Sequence, residues 1–405
     1  MTGMSPETGA WERSPGGHNV AWFWEAVARG GEGISAEDFA AHVIGGGWSP
    51  HVGLDSPALF ASSLRSGVFS GATLTGGGRD ADSLIRTSFR TPSGLRLDAH
   101  FVLQPDSDHR ITTVGLRLEG GASATAITVA ALRAAHYVVD EPKILADTLA
   151  QALSGEFAAG QIGQVRADRT ALPGRHQVAV RSRWAEDTLA EAQAEGVDQY
   201  VLLGAGLDSF AYRRRNPNDG LRVFEVDQPI SQSWKRRRLT DIGVDVSRSV
   251  VFVPVDFETH DLDRELSKAG FDAGRRSVVA WLGVTFYLTS EAISATLDCV
   301  ARWAPGTRLL FDYCLPEALW DNFENWNGDI HRNIAAFVAA SGEPYISLFT
   351  PEEIEALLRA HGYHAIKHLD HEAARAAYIP GHPPGPPGPL PWYQVVRATV
   401  SGTSS

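Results

Sequence analysis

The chain has 405 residues, a formal net charge of −12 and no run of 18 apolar residues. The length allows two or three domains, the negative charge disfavours general binding to nucleic acids, and a membrane span is not expected. Residues 1–20 contain no apolar segment of the kind found in secretory signals, and we expect them to form a disordered tail. The only cysteines, Cys299 and Cys314, lie in apolar runs, which predicts buried thiols in a reducing cytoplasm and no metal site. One basic cluster, residues 235–238, is expected to form a solvated helix face, with nucleic-acid contact as the less favoured interpretation.

Residues 21–122 predict a small α+β domain. Ser35 is placed to cap one helix, and Ser56 followed by proline marks the start of a second. The hydrophobic period then changes from helical to alternating, which indicates strands joined by turns that contain proline and glycine. The predicted strands cover residues 84–90, 95–103 and 111–118. Helices followed by an antiparallel meander are typical of a small α+β unit, and this pattern resembles cone-shaped domains of the ketosteroid isomerase type.

Residues 123–405 predict a larger α/β domain. Short apolar strands alternate with helical patterns, which is typical of βαβ units and a parallel sheet. A last strand near the C terminus is expected to be antiparallel. The predicted strands cover residues 200–203, 222–226, 250–255, 278–282, 308–311 and 392–400.

A tight turn, Gly204-Ala205-Gly206, follows the first of these strands. Glycines let the backbone bend sharply and let a ligand approach it, so the turn predicts a nucleotide-like cofactor at the carboxyl edge of the sheet. A dinucleotide fingerprint would have a third glycine where this chain has Ser209, and Asp208 is an anion close to where a pyrophosphate would bind. The motif therefore favours a non-phosphate adenosyl cofactor over NAD or FAD, while a structural turn without a ligand also fits it.

Acidic residues end the next two strands. Asp227 follows Gly204 by 23 positions, where a carboxylate can accept hydrogen bonds from both ribose hydroxyls of a bound nucleoside. Asp256 and Phe257 follow the third strand, where a carboxylate can accept the adenine amino hydrogen and an aromatic ring can cover the base. Each aspartate could instead cap the helix that comes after it. The three strand ends together are more specific than any one of them.

Four segments that contain these residues resemble the leucine carboxyl methyltransferase family. Their sequences look closest to its bacterial branch of S-adenosylmethionine-dependent O-methyltransferases. The resemblance runs from about Leu132 to the C terminus and does not cover residues 1–120. The segments cover residues 200–213, 223–229 with 234–239, 252–258 and 281–288.

The resemblance implies a class I methyltransferase fold, a Rossmann-like seven-stranded sheet whose last strand is antiparallel. It also implies that S-adenosyl-L-methionine binds at the strand ends described above. The implied cofactor-binding residues are Arg181 for the methionine carboxylate, Gly204, Ala205 and Gly206 for the methionine part, Asp227 with its neighbour Gln228 for the ribose, and Asp256 with Phe257 for adenine.

The same resemblance bears on two arginines and on one departure from the family pattern. The family holds the cofactor carboxylate with an arginine before the first motif strand, and we choose Arg181 over Arg183 for this role, in which a guanidinium can donate two hydrogen bonds. Arg133 matches a further basic residue of the family near the active-site lid. The eukaryotic members carry a glutamate where this chain has Leu282. That departure weakens any transfer of their substrate, a C-terminal leucine carboxylate, to this protein.

The sequence therefore predicts a cytoplasmic O-methyltransferase that acts on a carboxylate or hydroxyl of a small molecule or peptide. The alternatives are an NAD-dependent oxidoreductase and a non-catalytic binding module that has kept the fold. No residue is assigned as a catalytic base: Tyr287, Tyr345 and His382 are candidates by location only, and a structural role is favoured for each. The N-terminal domain could recognise substrate or mediate homo-oligomerisation.

Overall fold

A computed structural model describes residues 11–402 apart from short gaps. The gaps are residues 45–53, 55, 67, 82, 106–107, 119–122, 171–173, 215, 217–218, 247–249, 258, 341, 382–383 and 386. His382, one of the candidate residues, and the first ten residues of the predicted tail lie outside the described residues.

The described chain folds into helices and strands in the following order. The helices are α1 (Gly17–Ala28), α2 (Ala36–His42), α3 (Pro57–Ser66), α4 (Ala124–Val139), α5 (Ala150–Ser154), α6 (Glu156–Ala167), α7 (Arg175–Ala194), α8 (Phe210–Arg213), α9 (Pro229–Asp241), α10 (Leu262–Lys268), α11 (Ser290–Ala301), α12 (Gly328–Ala340), α13 (Pro351–Ala360) and α14 (His371–Tyr378). The strands are β1 (Thr73–Ala81), β2 (Leu84–Arg90), β3 (Arg96–Leu103), β4 (Ile111–Leu118), β5 (Gln199–Leu203), β6 (Arg222–Asp227), β7 (Val250–Pro254), β8 (Val278–Trp281), β9 (Arg308–Cys314), β10 (Tyr363–Leu369) and β11 (Tyr393–Val400). None of the described helices combines the length and apolar character needed to cross a bilayer.

The contacts divide the chain into two compact units. The first contains Met1–Val139, Ser154–Leu172 and Asn327–Pro344, and the second contains the remainder, Asp140–Leu153, Pro173–Trp326 and Tyr345–Ser405. The first unit extends beyond residue 122, the predicted end of the accessory domain. It does so because α4 packs against α6, α6 against α3, and α12 against β4.

The first unit is built around the antiparallel sheet β1-β2-β3-β4. Phe23 on α1 packs edge-on against Phe60, Phe69 and Phe101, with ring centroids 4.9 to 5.7 Å apart. The predicted helix start is confirmed, since the Ser35 hydroxyl accepts a hydrogen bond from the backbone N–H three residues later at 3.0 Å. The α+β character of this region is therefore as expected, with one strand, β1, more than the pattern predicted.

The predicted disordered tail over residues 1–20 is wrong for residues 11–20. Helix α1 begins at Gly17, and the Trp11 side chain is only 2% exposed. A Cβ atom on Gly77 of β1 would lie 2.6 Å from Nε1 of Trp11, so the indole packs directly on this strand. Burial of a whole indole offsets the entropy cost of ordering the segment, a contribution that low local hydrophobicity does not reveal.

The second unit contains a seven-stranded sheet in the order β10-β11-β9-β8-β5-β6-β7. Strands β5 to β9 pair in parallel, and β11 runs antiparallel to both β9 and β10. All five residues of β5 are buried, which is typical of a parallel strand covered by helices on both faces. The predicted α/β sheet with an antiparallel last strand is confirmed. Cys299 and Cys314 are buried free thiols, as expected.

The chain order of the sheet locates the functional edge of the second unit. From β5 the chain proceeds to β6 and β7 on one side, and then returns to β8 and β9 on the other. Such a reversal of direction is a topological switch point, and open α/β sheets bind ligands at the carboxyl ends of the strands beside it. A ligand site is therefore expected among the residues that follow β5, β6, β7 and β8.

Candidate active site

The glycine turn after β5 is fixed by both its backbone and its surroundings. Gly204 and Gly206 have φ angles of 67° and 45°, a region that favours glycine. The amides of Gly204 and Ala205 both donate to the carbonyl oxygen of Val226 on β6, at 2.8 and 3.0 Å. A Cβ atom on Gly204 would lie 2.3 Å from Cγ2 of Val284. A larger residue is therefore excluded at Gly204, so the backbone of the turn stays open to close approach.

Asp227 ends β6 beside this turn. Its Oδ2 accepts a hydrogen bond of 2.5 Å from the Gly206 amide, and its Oδ1 accepts one of 2.7 Å from the amide of Gln228. The side chain is half-buried. A carboxylate offers about four lone-pair sites, so these two amides do not exhaust its capacity to accept ribose hydroxyls. Gln228, by contrast, is exposed at the N-cap position of α9 and makes no side-chain capping bond.

Ser209 occupies the position of the third glycine in a dinucleotide fingerprint. Its hydroxyl donates a 2.6 Å hydrogen bond to Oδ1 of Asp147, and both residues are 1% exposed. Asp208 accepts the amide of Phe210 at 2.8 Å and so begins the short helix α8. Arg213 on that helix donates to the Ser209 hydroxyl at 3.0 Å. The serine is thus an anchoring group, and this turn has neither the glycine nor the anion-free surroundings that a pyrophosphate requires.

Asp256 and Phe257 follow β7, which ends at Pro254, one residue earlier than the sequence pattern predicted. Both side chains are half-buried, and the Phe257 ring lies 6.4 Å from that of Trp281, measured between centroids. The amide of Val255 donates to the carbonyl oxygen of Asp227 at 2.8 Å, which ties the ends of β6 and β7 together. The two acidic strand ends therefore stand side by side at one edge of the sheet.

Arg181 lies on the face of α7 that is turned away from solvent. It is 8% exposed, and its Nη1 donates a 2.6 Å hydrogen bond to Oδ2 of Asp312, a residue of β9 with no exposed surface. The other oxygen of Asp312 accepts the Gly283 amide at 2.5 Å, and a Cβ on Gly283 would lie 2.8 Å from the guanidinium. Arg183 is exposed and pairs with Asp187 on its own helix. Arg181 is thus the buried one of the two arginines, and its assignment to the methionine carboxylate stays a prediction.

The tyrosine candidates lie in one aromatic cluster after β8. Tyr287 and Tyr345 have ring centroids 5.7 Å apart, and Phe286 packs edge-on against both. The hydroxyls of Tyr345 and Tyr393 share a short hydrogen bond. Burial raises the pKa of Tyr345 and that of Tyr393 well above the usual value of a phenol. Both hydroxyls therefore stay protonated at neutral pH and do not serve as bases.

Two further positions from the sequence analysis, Arg133 and Leu282, are both largely removed from solvent. Arg133 lies on α4 in the first unit and is 6% exposed. Leu282 is half-buried and packs against the apolar core of the second unit. The side chain at this position is apolar and supplies no carboxylate to the sheet edge.

Sequence reasoning missed Asp147, Asp312 and Val284. Asp312 had a detectable signal, because an acidic residue inside the apolar strand β9 must find a partner when it is buried. Asp147 and Val284 had none, since each acts through contact with a residue more than 60 positions away in the chain. Such pairings appear only once the fold is known.

Comparison with known proteins agrees with this geometry. Residues 126–301 match the sequence profile of the leucine carboxyl methyltransferase family. The YktD protein of Bacillus subtilis (strain 168), whose name assigns it provisionally to the S-adenosyl-L-methionine-dependent methyltransferases, is 36% identical over 191 residues, which are 47% of this chain and 61% of the relative. A Mycobacterium bovis (strain BCG / Pasteur 1173P2) protein with the same provisional name is 34% identical over 218 residues, 50% of this chain and 69% of the relative.

Among solved structures, a DUF574 family protein from Streptomyces avermitilis aligns with 69% of this chain and 98% of its own, at 14% identity and a TM-score of 0.44. The strand order, the strand-end residues and the sequence matches together define the class of protein, the S-adenosylmethionine-dependent methyltransferases of class I fold. Within that class the chain belongs to the leucine carboxyl methyltransferase family.

Proposed function

We propose that this protein transfers the methyl group of S-adenosyl-L-methionine to an oxygen atom of a small molecule or peptide. The observation that carries the proposal is the arrangement of Gly206, Asp227 and Asp256. The amide of Gly206 bonds to the Asp227 carboxylate, and the backbone of Asp227 bonds to the residue before Asp256. The glycine turn, the ribose-binding carboxylate and the adenine-binding carboxylate therefore form one continuous cofactor edge.

The residues of this edge fit the cofactor. Asp227 is half-buried with capacity to accept ribose hydroxyls, and Asp256 with Phe257 offers an acceptor and a ring face for adenine. Arg181 supplies a guanidinium, whose five N–H donors allow it to bind a second carboxylate besides Asp312. When bound, S-adenosylmethionine supplies a methyl group on a positively charged sulfur, which leaves as a neutral thioether. The chain itself positions the reactants and excludes water.

The ionisation state of the acceptor oxygen decides whether the transfer needs a base. A carboxylate is already ionised at neutral pH, so a new bond from its oxygen to the methyl carbon gives an ester with no proton to remove. An alcohol or phenol would need a base to take its proton. Tyr345 and Tyr393 stay protonated and cannot act as that base. We propose a carboxylate as the acceptor group, because it needs no base.

The further parts of the proposal concern the setting of the reaction. We propose a cytoplasmic enzyme, because both cysteines are free thiols. We also propose that the first unit recognises substrate or mediates self-association. An NAD-dependent oxidoreductase is the less favoured function, since Ser209 replaces the third glycine and Asp208 adds a negative charge beside the turn.

Two measurements test the proposal. Calorimetric titration with S-adenosylmethionine, S-adenosylhomocysteine and NAD should show binding of the first two and not of NAD. Incubation with S-adenosylmethionine that carries a deuterated methyl group, together with sets of carboxylate and phenol metabolites, should give a labelled methyl ester by mass spectrometry. Binding of NAD without binding of the adenosyl compounds would favour the oxidoreductase function over the methyltransferase function. Binding of none of the three ligands would exclude both functions.

A further inference from the structure

Two large aliphatic side chains stand out as exposed among the residues that the structure describes. Ile230 is 60% exposed and Ile346 is 56% exposed. A single exposed apolar residue is ordinary on a protein surface, so exposure alone has little meaning. The location of Ile346 gives it significance, because it adjoins the aromatic cluster that follows β8.

Ile346 is held close to the glycine turn by a short series of contacts. Its amide donates a 2.7 Å hydrogen bond to the carbonyl oxygen of Phe286. Phe286 follows Val284 by two residues, and Val284 packs on Gly204. Two peptide units span at most about 7.6 Å. The segment that carries Ile346 therefore lies near the glycine turn, which the proposed function assigns to the methionine part of the cofactor and hence to the neighbourhood of the methyl acceptor.

The side chains around Ile346 form one surface, which we call the acceptor wall: Phe286, Tyr287, Tyr345, Ile346 and Tyr393. The Phe286 ring centroid lies 4.6, 5.2 and 5.7 Å from those of Tyr287, Tyr345 and Tyr393. Phe286 and Tyr393 are buried, while Tyr287 and Tyr345 are partly exposed and Ile346 is exposed. The wall thus has a buried aromatic base and an accessible apolar rim.

The chemistry of the wall restricts what it can hold. Aromatic side chains favour stacked or edge-on contact with another ring, and such pairs contribute about 0.5–1.5 kcal/mol beyond the area that they bury. Tyr345 and Tyr393 remain phenols at neutral pH, and since one hydroxyl donates to the other, at most one of the two can donate to an oxygen anion. The positive charge of Arg181 is largely offset by Asp312, at 2.6 Å. A ligand with several negative charges would find little compensation here.

We propose that the acceptor wall is the methyl-acceptor site and that it takes an aromatic monocarboxylate, with the ring against the aromatic cluster and Ile346. This inference rests on the proposed function and narrows its substrate class. In the transfer step, one carboxylate oxygen forms a bond to the methyl carbon while the bond from that carbon to sulfur breaks. The electron pair of the broken bond stays on sulfur, and no proton moves.

The test uses the 405-residue chain saturated with S-adenosylhomocysteine and two probes of equal charge. Binding of 3-phenylpropanoate and of hexanoate is followed by saturation-transfer NMR. We expect 3-phenylpropanoate to bind about three- to tenfold more tightly than hexanoate, because only the aromatic probe can make ring–ring contacts with the wall. Equal binding of the two probes, or binding of neither, would overturn the assignment of an aromatic acceptor.

Matched variants test the location. I346S should weaken binding of 3-phenylpropanoate at least about fivefold, since it removes the aliphatic side chain that the probe would cover. I230S makes the same change at the other exposed isoleucine and should leave binding of this probe unchanged. Y345F keeps the ring and should weaken the probe without weakening S-adenosylhomocysteine. If I346S binds the probe like the unmodified protein, the location is wrong; if S-adenosylhomocysteine itself does not bind, the proposed function fails first.

Discussion

Lys235 and Glu225 form an ion pair of 2.7 Å in which both residues are only 1% exposed. The lysine ammonium also lies 5.4 Å from the ring centroid of Tyr212, which follows the glycine turn. Burial raises the pKa of Glu225, and the positive charge of Lys235 opposes that rise. The pair joins β6 to α9, and Glu225 precedes Asp227, the proposed ribose-binding residue, by two positions on β6. The stability of the cofactor edge therefore depends on this pair remaining intact.

Replacement of Lys235 by methionine should reduce the free energy of unfolding by about 3–5 kcal/mol, because it leaves a buried carboxylate without its partner. Chemical denaturation followed by tryptophan fluorescence measures the loss. K268M removes a lysine of an exposed pair and should change stability little. The double variant K235M/E225L should recover most of the stability, since no unpaired charge remains. A K235M protein as stable as the unmodified one would show that the pair contributes nothing.

Replacement of Asp227 by alanine should weaken S-adenosylmethionine at least tenfold. A charge-assisted hydrogen bond of the kind proposed with the ribose contributes about 1.5–3 kcal/mol, and calorimetric titration measures the loss directly. D241A, at the exposed end of α9, serves as the control and should bind the cofactor normally. Unchanged affinity in D227A would exclude the ribose role, even if the turn loses its bond from Gly206.

Replacement of Gly204 by alanine should disrupt the turn in two ways. The positive φ of 67° costs roughly 1–2 kcal/mol for any residue with a Cβ, and the clash with Val284 adds about 1–3 kcal/mol. G196A is the matched control, because Gly196 has a φ of 88° with open space around it and therefore incurs only the backbone term. The unfolding free energies of the two variants should differ by the clash alone.

A rescue experiment follows from the same contact. In G204A/V284A the smaller side chain at position 284 removes the atoms that clash, so part of the lost stability and cofactor affinity should return. If G204A and G196A are equally destabilised, Val284 does not restrict the turn. Loss of affinity without loss of stability in G204A would instead indicate that the added methyl group meets the cofactor.

Replacement of Ser209 by glycine tests whether the turn can be converted to a dinucleotide site. S209G restores the glycine spacing of that fingerprint but removes the hydroxyl that donates to Asp147. We expect no binding of NAD, because Asp208 remains beside the turn, and a loss of about 1–3 kcal/mol in stability from the disturbed buried carboxylate. S209A removes the same bond without adding backbone freedom and should lose nearly as much. Tight binding of NAD by S209G would contradict our interpretation of the turn.

The sequence predicted the second unit well where the signal was local. The strand β5 and the turn after it are recognisable because a continuous apolar run, all of which is buried, ends at Gly204. Asp227 is recognisable because it ends the next strand. Strand β10 was missed, since only its first and last residues are buried and the residues between them do not alternate cleanly. Strand β1 was missed for a related reason: three consecutive glycines at 76–78 disfavour a strand, and only pairing with β2 imposes one.

The burial of Lys235 in the basic cluster could not be predicted from local pattern, whereas Arg236 and Arg237 are exposed as expected. Lys235 was expected on a solvated face, but its partner Glu225 lies on a neighbouring strand and draws it into the interior. Arg238 of the same cluster donates to the carbonyl oxygens of Ala152 and Leu153, more than 80 positions earlier in the chain. Long side chains take their environment from the segments packed beside them, and a window of sequence around the residue does not contain those segments.

His331 on α12 should make stability depend on pH. Burial, reinforced by the positive charge of Arg332, lowers the pKa of His331 to about 3 in the folded protein, whereas an unfolded chain gives about 6.5. The unfolded state therefore takes up the proton first as the pH falls. Stability due to this group is present above pH 6.5 and is lost progressively towards pH 3.

The loss should reach roughly 2 kcal/mol as the pH is lowered from about 7.5 to 5. H331Q keeps a polar side chain but cannot be protonated, so its unfolding free energy should vary less over this range by that amount. H364Q, a change at an exposed histidine of β10, should retain the full pH dependence. Denaturation curves of the three proteins at each pH make the comparison. If H331Q and the unmodified protein lose stability in parallel, His331 does not control the acid response, because its protonation would then cost the folded state nothing.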